Sequence, residues 1–181
     1  MITAISATTS TWSIDPTHSI AEFAIKNLFV KTVKGRFREL EGAIRIDESQ
    51  PENSSVEAQI TVASVDSDVP KRDAHLRSDD FFSAEDFPYI TFRSTHLERL
   101  NGKGFKLTGD LTIRDMTREV ILAGEYEGQV DDPEAGHRSA FTATAQISRK
   151  EFNFYCGQRL GRVLVGDNVK VTLHIEAIRQ G

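Results

Sequence analysis

The chain has 181 residues, 39% of them apolar and 27% charged, with eleven Phe, one Cys and a formal net charge of −5. This length suits one domain with a sizeable interior. The acidic balance argues against a nucleic-acid partner, which needs clustered cations. The lone Cys156 excludes both an intrachain disulfide and a multi-cysteine zinc site.

Residues 1–10 show no periodic pattern and are expected to form a disordered or extended tail, with one domain over 11–181. Their lack of a basic, apolar leader pattern makes the cytoplasm the expected location, or the periplasm if a leader has been removed. No stretch reaches the ~20 apolar residues of a membrane-spanning helix, so no integral membrane segment is expected.

From residue 11 onward, period-two alternation dominates. A less regular strand at 11–15 precedes 19–26, where Ala21, Phe23 and Ile25 share one face and Glu22 and Lys26 the other. A short helix is expected over 26–32. The densest cationic stretch, 30–38, alternates as the wet side of a strand does, and 35–47 continues it. Residues 55–62 set Val56, Ala58, Ile60 and Val62 against Glu57, Gln59 and Thr61. The segment 67–88 opens with Ser, Asp and Pro, which suit a helix start, and stops before Pro88.

A strand at 89–99 leads into the hairpin signal "NGKG" (101–104). Residues 105–113 place Phe105, Leu107, Leu111 and Ile113 on one side. After the tight turn "RDMT" (114–117), a strand over 117–128 ends in a longer loop, "DDPEAG" (131–136). Phe141, Ala143, Ala145 and Ile147 alternate along 141–147, and Val169, Val171, Leu173, Ile175 and Ala177 along 169–177. Between these two strands, 148–168 is a Gly-punctuated loop. Eight or nine antiparallel strands at this spacing predict an all-β sandwich or barrel. The two long connections, 67–88 and 148–168, are rich in Phe and Leu and predict caps packed on a barrel mouth.

The inward set is heavy in Phe, Leu and Ile, and the caps add Leu28, Phe29, Leu76, Phe81, Phe82, Phe152 and Phe154. Two interiors fit this composition: a packed core sealed at its ends, or a tunnel for a long apolar molecule. In a tunnel each buried methylene would contribute roughly 0.8 kcal/mol. Periodicity does not separate the two.

Catalytic signals are sparse. None of the five His is spaced for a metal site. There is no nucleophile elbow, phosphate loop or dinucleotide fingerprint. In "HLRSDDFF" (75–82), a helix over 70–78 would put Arg72 with Leu76 and Asp73 with Arg77 at four-residue spacing, the latter as a surface ion pair. His75 and Arg77 would then hold the cap or meet a polar head group.

Six blocks, "TWSIDPTHSIAEFAIKNL", "VKGRFRELEGAI", "RDAHLRSDDFFSAEDFPYITF", "LTGDLTIRDMTREVIL", "ISRKEFNF" and "VGDNVKVTLHIEA", stand in the order found in the YceI-like family, over about 11–179. This resemblance implies an extended eight-stranded antiparallel lipocalin-like β-barrel with short helical caps around an apolar pore. It implies non-catalytic binding, storage or transport of an isoprenoid lipid or isoprenoid quinone, with no cofactor and no metal, in some members as a homodimer. Carried over by position, the candidate ligand-binding residues are Phe23, Ile25, Leu28, Phe29, Phe37, Leu76, Phe82, Phe92, Phe105, Phe141, Phe152 and Phe154, with His75 and Arg77 at the lid. His18 and Asp79 match the family's blocks as well. The competing expectation is an enzyme acting on an isoprenoid or fatty-acyl lipid through His75 with Asp79 or Asp80.

Overall fold

A computed structural model describes residues 9–27, 32–154 and 165–181. Among the described residues eleven strand segments follow one another: β1 (Thr9–Ile14), β2 (Ile20–Asn27), β3 (Thr32–Phe37), β4 (Leu40–Asp47), β5 (Ser55–Thr61), β6 (Val65–Asp66), β7 (Tyr89–Arg99), β8 (Gly104–Ile113), β9 (Met116–Asp132), β10 (Gly136–Ser148) and β11 (Val165–Gln180). One helix, α1 (Pro70–Arg77), lies between β6 and β7.

The eleven segments make eight strands of a closed antiparallel barrel. β1 pairs with β4 while β2 pairs with β3, and β4 pairs with β5 while β3 pairs with β6. Each couple (β1 with β2, β3 with β4, β5 with β6) is therefore one long strand, broken at 15–19, 38–39 and 62–64. The remaining neighbours are β5–β7–β8–β9–β10–β11, and β11 closes the ring on both β1 and β2. Closure removes the exposed strand edges that an open sheet would carry.

The alternation read from sequence is the alternation observed. Along β8, Leu107, Gly109 and Ile113 are buried while Lys106 and Asp110 are exposed. A bulge between Ser94 and His96 resets the phase, so that Leu97 rather than His96 continues the less exposed face of β7. Gly102, at φ 68°, lets the 100–103 connection turn left-handed, and Arg114 takes φ 55° in the two-residue turn between β8 and β9. The 131–136 region is shorter than expected. β9 runs to Asp132 and β10 begins at Gly136, because the Asp132 carboxylate accepts the Glu134 and Ala135 N–H groups and tightens the turn. The short helix expected over 26–32 is not seen at its ends: Lys26 and Asn27 finish β2 and Thr32 starts β3, with 28–31 outside the described residues. Thr9 and Ser10, expected in the tail, belong to β1.

The break between β1 and β2 is bridged at β11. Asp15 N–H donates to the Glu176 carbonyl at 2.8 Å, and the buried Ser19 hydroxyl donates to that carbonyl and accepts the Glu176 N–H. Pro16, Thr17 and His18 loop out between them. The Asp15 carboxylate accepts from Thr17 N–H and Oγ, lies 2.7 Å from His18 Nδ1 and takes a 2.8 Å bond from Arg138, which also reaches Glu176 at 3.2 Å. Burial works to raise the Asp15 pKa, but these hydrogen bonds outweigh it and hold the carboxyl well below the usual range.

A carboxyl depressed in the folded state stabilises above its ordinary pKa near ~4, and that contribution disappears as pH falls through the folded value. Asp15→Asn should therefore cost about 3 kcal/mol at neutral pH and flatten part of the acid limb below about pH 4. Urea titrations followed by the buried Trp12 measure both. An unchanged acid limb would contradict the assignment.

Candidate functional site: the barrel interior and its lid

The inward faces of the strands converge on one apolar interior. At one end lie the β8–β9 turn, α1 and the 3-10 turn Arg149–Phe152, and at the other the connections 48–54, 100–103 and 133–135. At the first, or lid, end the side chains are covered: Phe37, Val62, Val65, Phe81, Phe152 and Phe154 are all buried, Phe152 to 1% exposure. Along the shaft the picture differs. Phe23, Ile25, Val56, Phe92, Leu97, Phe105, Leu111, Phe141, Leu173 and Ile175 share the inward phase, yet each is only half-buried. Several of them pack around a small buried cluster of Leu107, Leu122, Ala143 and Ala145 without being fully covered themselves.

Aromatic rings are grouped toward the two ends. Phe23–Phe37 (5.6 Å), Phe37–Phe82 (5.5 Å) and Phe82–Phe154 (5.1 Å) form a chain beneath the lid, with the Arg114 guanidinium 4.4 Å above the Phe154 ring. Phe105, Phe141 and Tyr126 group lower, at 6.3 and 5.4 Å.

The lid is built on polar ties. Pro70 suits the first helical position of α1, where no N–H partner is needed. Asp73 in the first turn is buried and accepts both the Ser67 N–H and the Ser67 hydroxyl, at 2.8 and 2.5 Å. Arg72 donates to Ser67 Oγ and its carbonyl. The surface ion pair expected between Asp73 and Arg77 is accordingly replaced, since the carboxylate turns inward to satisfy backbone groups ahead of the helix. Beyond α1, the Phe82 N–H returns to the Leu76 carbonyl, which lays Leu76 and Phe82 against the core. His75 stands edge-on to Phe81 at 4.8 Å and lies 3.2 Å from Asp80, a third exposed. Asp79 instead accepts the Ser83 hydroxyl. The second cap is pinned by two arginines: Arg114 donates to the Phe152 and Asn153 carbonyls, and the buried Arg149 to those of Phe154 and Gly166.

The structure therefore brings Phe23, Ile25, Phe92, Phe105 and Phe141 to the shaft, with Phe37, Leu76, Phe82, Phe152 and Phe154 beneath the lid. His75 and Arg77 are half-buried lid residues. Leu28, Phe29 and Cys156 lie outside the described residues. The candidate set did not include Val56, Leu111, Tyr126 and Leu173, whose signal was the same alternation, nor Leu97, whose phase is reset by the bulge.

The sequence spacing of the histidines also concealed a cluster. Asp15, His18 and Glu176 bring ligand atoms within 4.8 Å of one another. The Arg138 guanidinium already bonds both carboxylates, so a cation's place is taken by a side chain and the cluster acts as a strand tie.

A cleft of about 490 Å³ opens in the wall where β9 and β10 part: their ladder stops at Ala123–Thr144 although both strands continue. Glu119, Gln146 and Lys170 line it, and the buried Phe152 also contributes, so it is a notch beside the lid.

A closed eight-strand barrel with an apolar shaft and a helix-and-turn lid defines the lipocalin-like class of barrel. Within that class the relationship is specific. The family model described as a YceI-like domain matches residues 12–177, and the chain belongs to the YceI-like family. It is 35% identical over 181 residues to a UPF0312 protein of Yersinia enterocolitica, covering 99% of this chain and 92% of that one. A UPF0312 protein of Photorhabdus laumondii is 36% identical over 156 residues, 85% and 81% of the two chains. Among solved structures, BcnA of Burkholderia cenocepacia superposes with a TM-score of 0.79 at 23% identity, over 90% of this chain and 98% of that one. A polyisoprenoid-binding domain from Saccharophagus degradans gives 0.68 at 14%, over 97% and 100%.

Removing the inner tie of the lid tests its construction. Asp73→Ala leaves the Ser67 N–H buried without its acceptor, at a cost of about 1–3 kcal/mol. Hydrogen exchange should show residues 67–88 losing protection first while the β8–β11 ladders keep theirs. Uniform loss across the barrel would show that Asp73 supports the whole fold instead.

Proposed function

We propose that the barrel binds a long isoprenoid lipid, of polyprenyl or isoprenoid quinone type, along its shaft, and stores or carries it without chemical change. The observation that carries this reading is the half-buried state of many inward apolar side chains, Phe23, Val56, Phe92, Phe105, Phe141 and Leu173 among them. Surface of that kind, facing inward and incompletely covered, gains most from an apolar occupant, at roughly 25 cal/mol per Å² removed from water. A chain of many methylenes then binds tightly with few polar contacts. The structural likeness to a polyisoprenoid-binding domain supports the same choice of ligand.

His75 has its place in this reading. It packs on Phe81 and meets Asp80 at the lid surface, contacts that suit a residue orienting the lid. Organic extraction or native mass spectrometry of the purified protein should reveal a polyprenyl mass. His75→Ala should retain that lipid. A clean apo spectrum from several hosts, with no uptake of added isoprenoid, overturns the proposal. Turnover of the lipid that His75→Ala abolishes while binding persists establishes an enzyme instead.

A further inference from the structure

At three inward-facing glycines among the described residues a phenylalanine ring leans across from the neighbouring strand. Phe23 on β2 is the direct partner of Gly35 on β3, and Phe105 on β8 of Gly124 on β9. Phe92 on β7 reaches Gly109, two residues along from its own partner Leu111. A Cβ built on Gly35, Gly109 or Gly124 would stand 2.3, 2.4 or 2.2 Å from the ring's Cζ. The tip of each ring therefore occupies the space of a missing methyl, and the ring runs along the wall instead of toward the barrel axis. Aromatic cover of a strand glycine is a known stabilising device. In a barrel of eight strands it has a second consequence, because an interior of that size is just wide enough for side chains to fill it. Three rings directed at the axis would close the shaft.

We infer that Gly35, Gly109 and Gly124 set the bore, and that the width they preserve is what admits a methyl-branched chain beside a straight one. The inference rests on the isoprenoid reading above. A branched chain is thicker at every branch than an unbranched acyl chain, so a narrowed shaft excludes it first. The glycines are not equivalent as probes. The nearest atoms to a Cβ at Gly35 or Gly124 all belong to a phenyl ring, which can swing away, whereas at Gly109 the Arg93 carbonyl stands 2.6 Å away and the backbone itself would have to shift.

The experiment compares octaprenol and palmitate binding to the full chain and its variants, with thermal unfolding as the control for folding. Gly124→Ala and Gly35→Ala should each weaken octaprenol by about tenfold or more while palmitate changes little. Adding Phe105→Leu to Gly124→Ala shortens the displaced side chain and should restore octaprenol. If Gly124→Ala does not fold, Gly35→Ala gives the same readout from another strand pair. Folded variants that bind octaprenol as the parent does, or that lose both lipids equally, overturn the inference. A parent protein that binds no octaprenol overturns the isoprenoid reading instead, so the two failures are distinct.

Discussion

Everything in this molecule depends on β11 closing the barrel against a strand that is broken in two. β11 is sixteen residues long and bonds β10 on one side; on the other it must bond β1 at 177–180 and β2 at 165–174. Opposite the break only Ile175 and Glu176 remain, facing five residues from Asp15 to Ser19. The Ser19 hydroxyl and the Asp15 N–H satisfy the Glu176 backbone, so the ladder is bridged without regular pairing. Arg138 then holds the carboxylates of Asp15 and Glu176 from β10. A buried backbone group left unpaired there would cost as much as a lost hydrogen bond, and an unpaired buried carboxylate more. The sequence "DPTHS" is thus a structural joint.

The same logic governs the lid. Caps at a barrel mouth consist of irregular backbone whose polar groups cannot all pair within a ladder. Here side chains supply the partners: Asp73 for Ser67, Arg114 for the 152–153 carbonyls, and Arg149 for those of Phe154 and Gly166. The charged residues amid the phenylalanines are mostly fasteners. They leave the apolar surface of Leu76, Phe82 and Phe154 free to close the shaft from above.

Much of the fold was legible in the residues. The strands announced themselves by period two, and Phe23, Phe92, Phe105 and Phe141 reached the shaft in the phase their neighbours predict. What failed did so for physical reasons. The bulge at Ser94–His96 shifts phase by one residue, which alternation alone cannot show. Asp73 and Arg77 stand at the right spacing for an ion pair, but helix spacing says nothing of a backbone N–H waiting at Ser67. His18 was isolated by its distance in sequence from Glu176, yet the closing strand brings their side chains to 3.6 Å.

The sequence by itself determined an acidic, all-β chain with an apolar face on each strand, because side chains alternate across any extended backbone. It also carried the blocks that place the chain in its family. How far the inward side chains cover one another was decided only in three dimensions. Volume depends on where neighbouring strands set each ring, and a phenylalanine over an alanine and one over a glycine read alike in the pattern. The Gly35, Gly109 and Gly124 contacts, each made between strands, settle which way three of those rings lie.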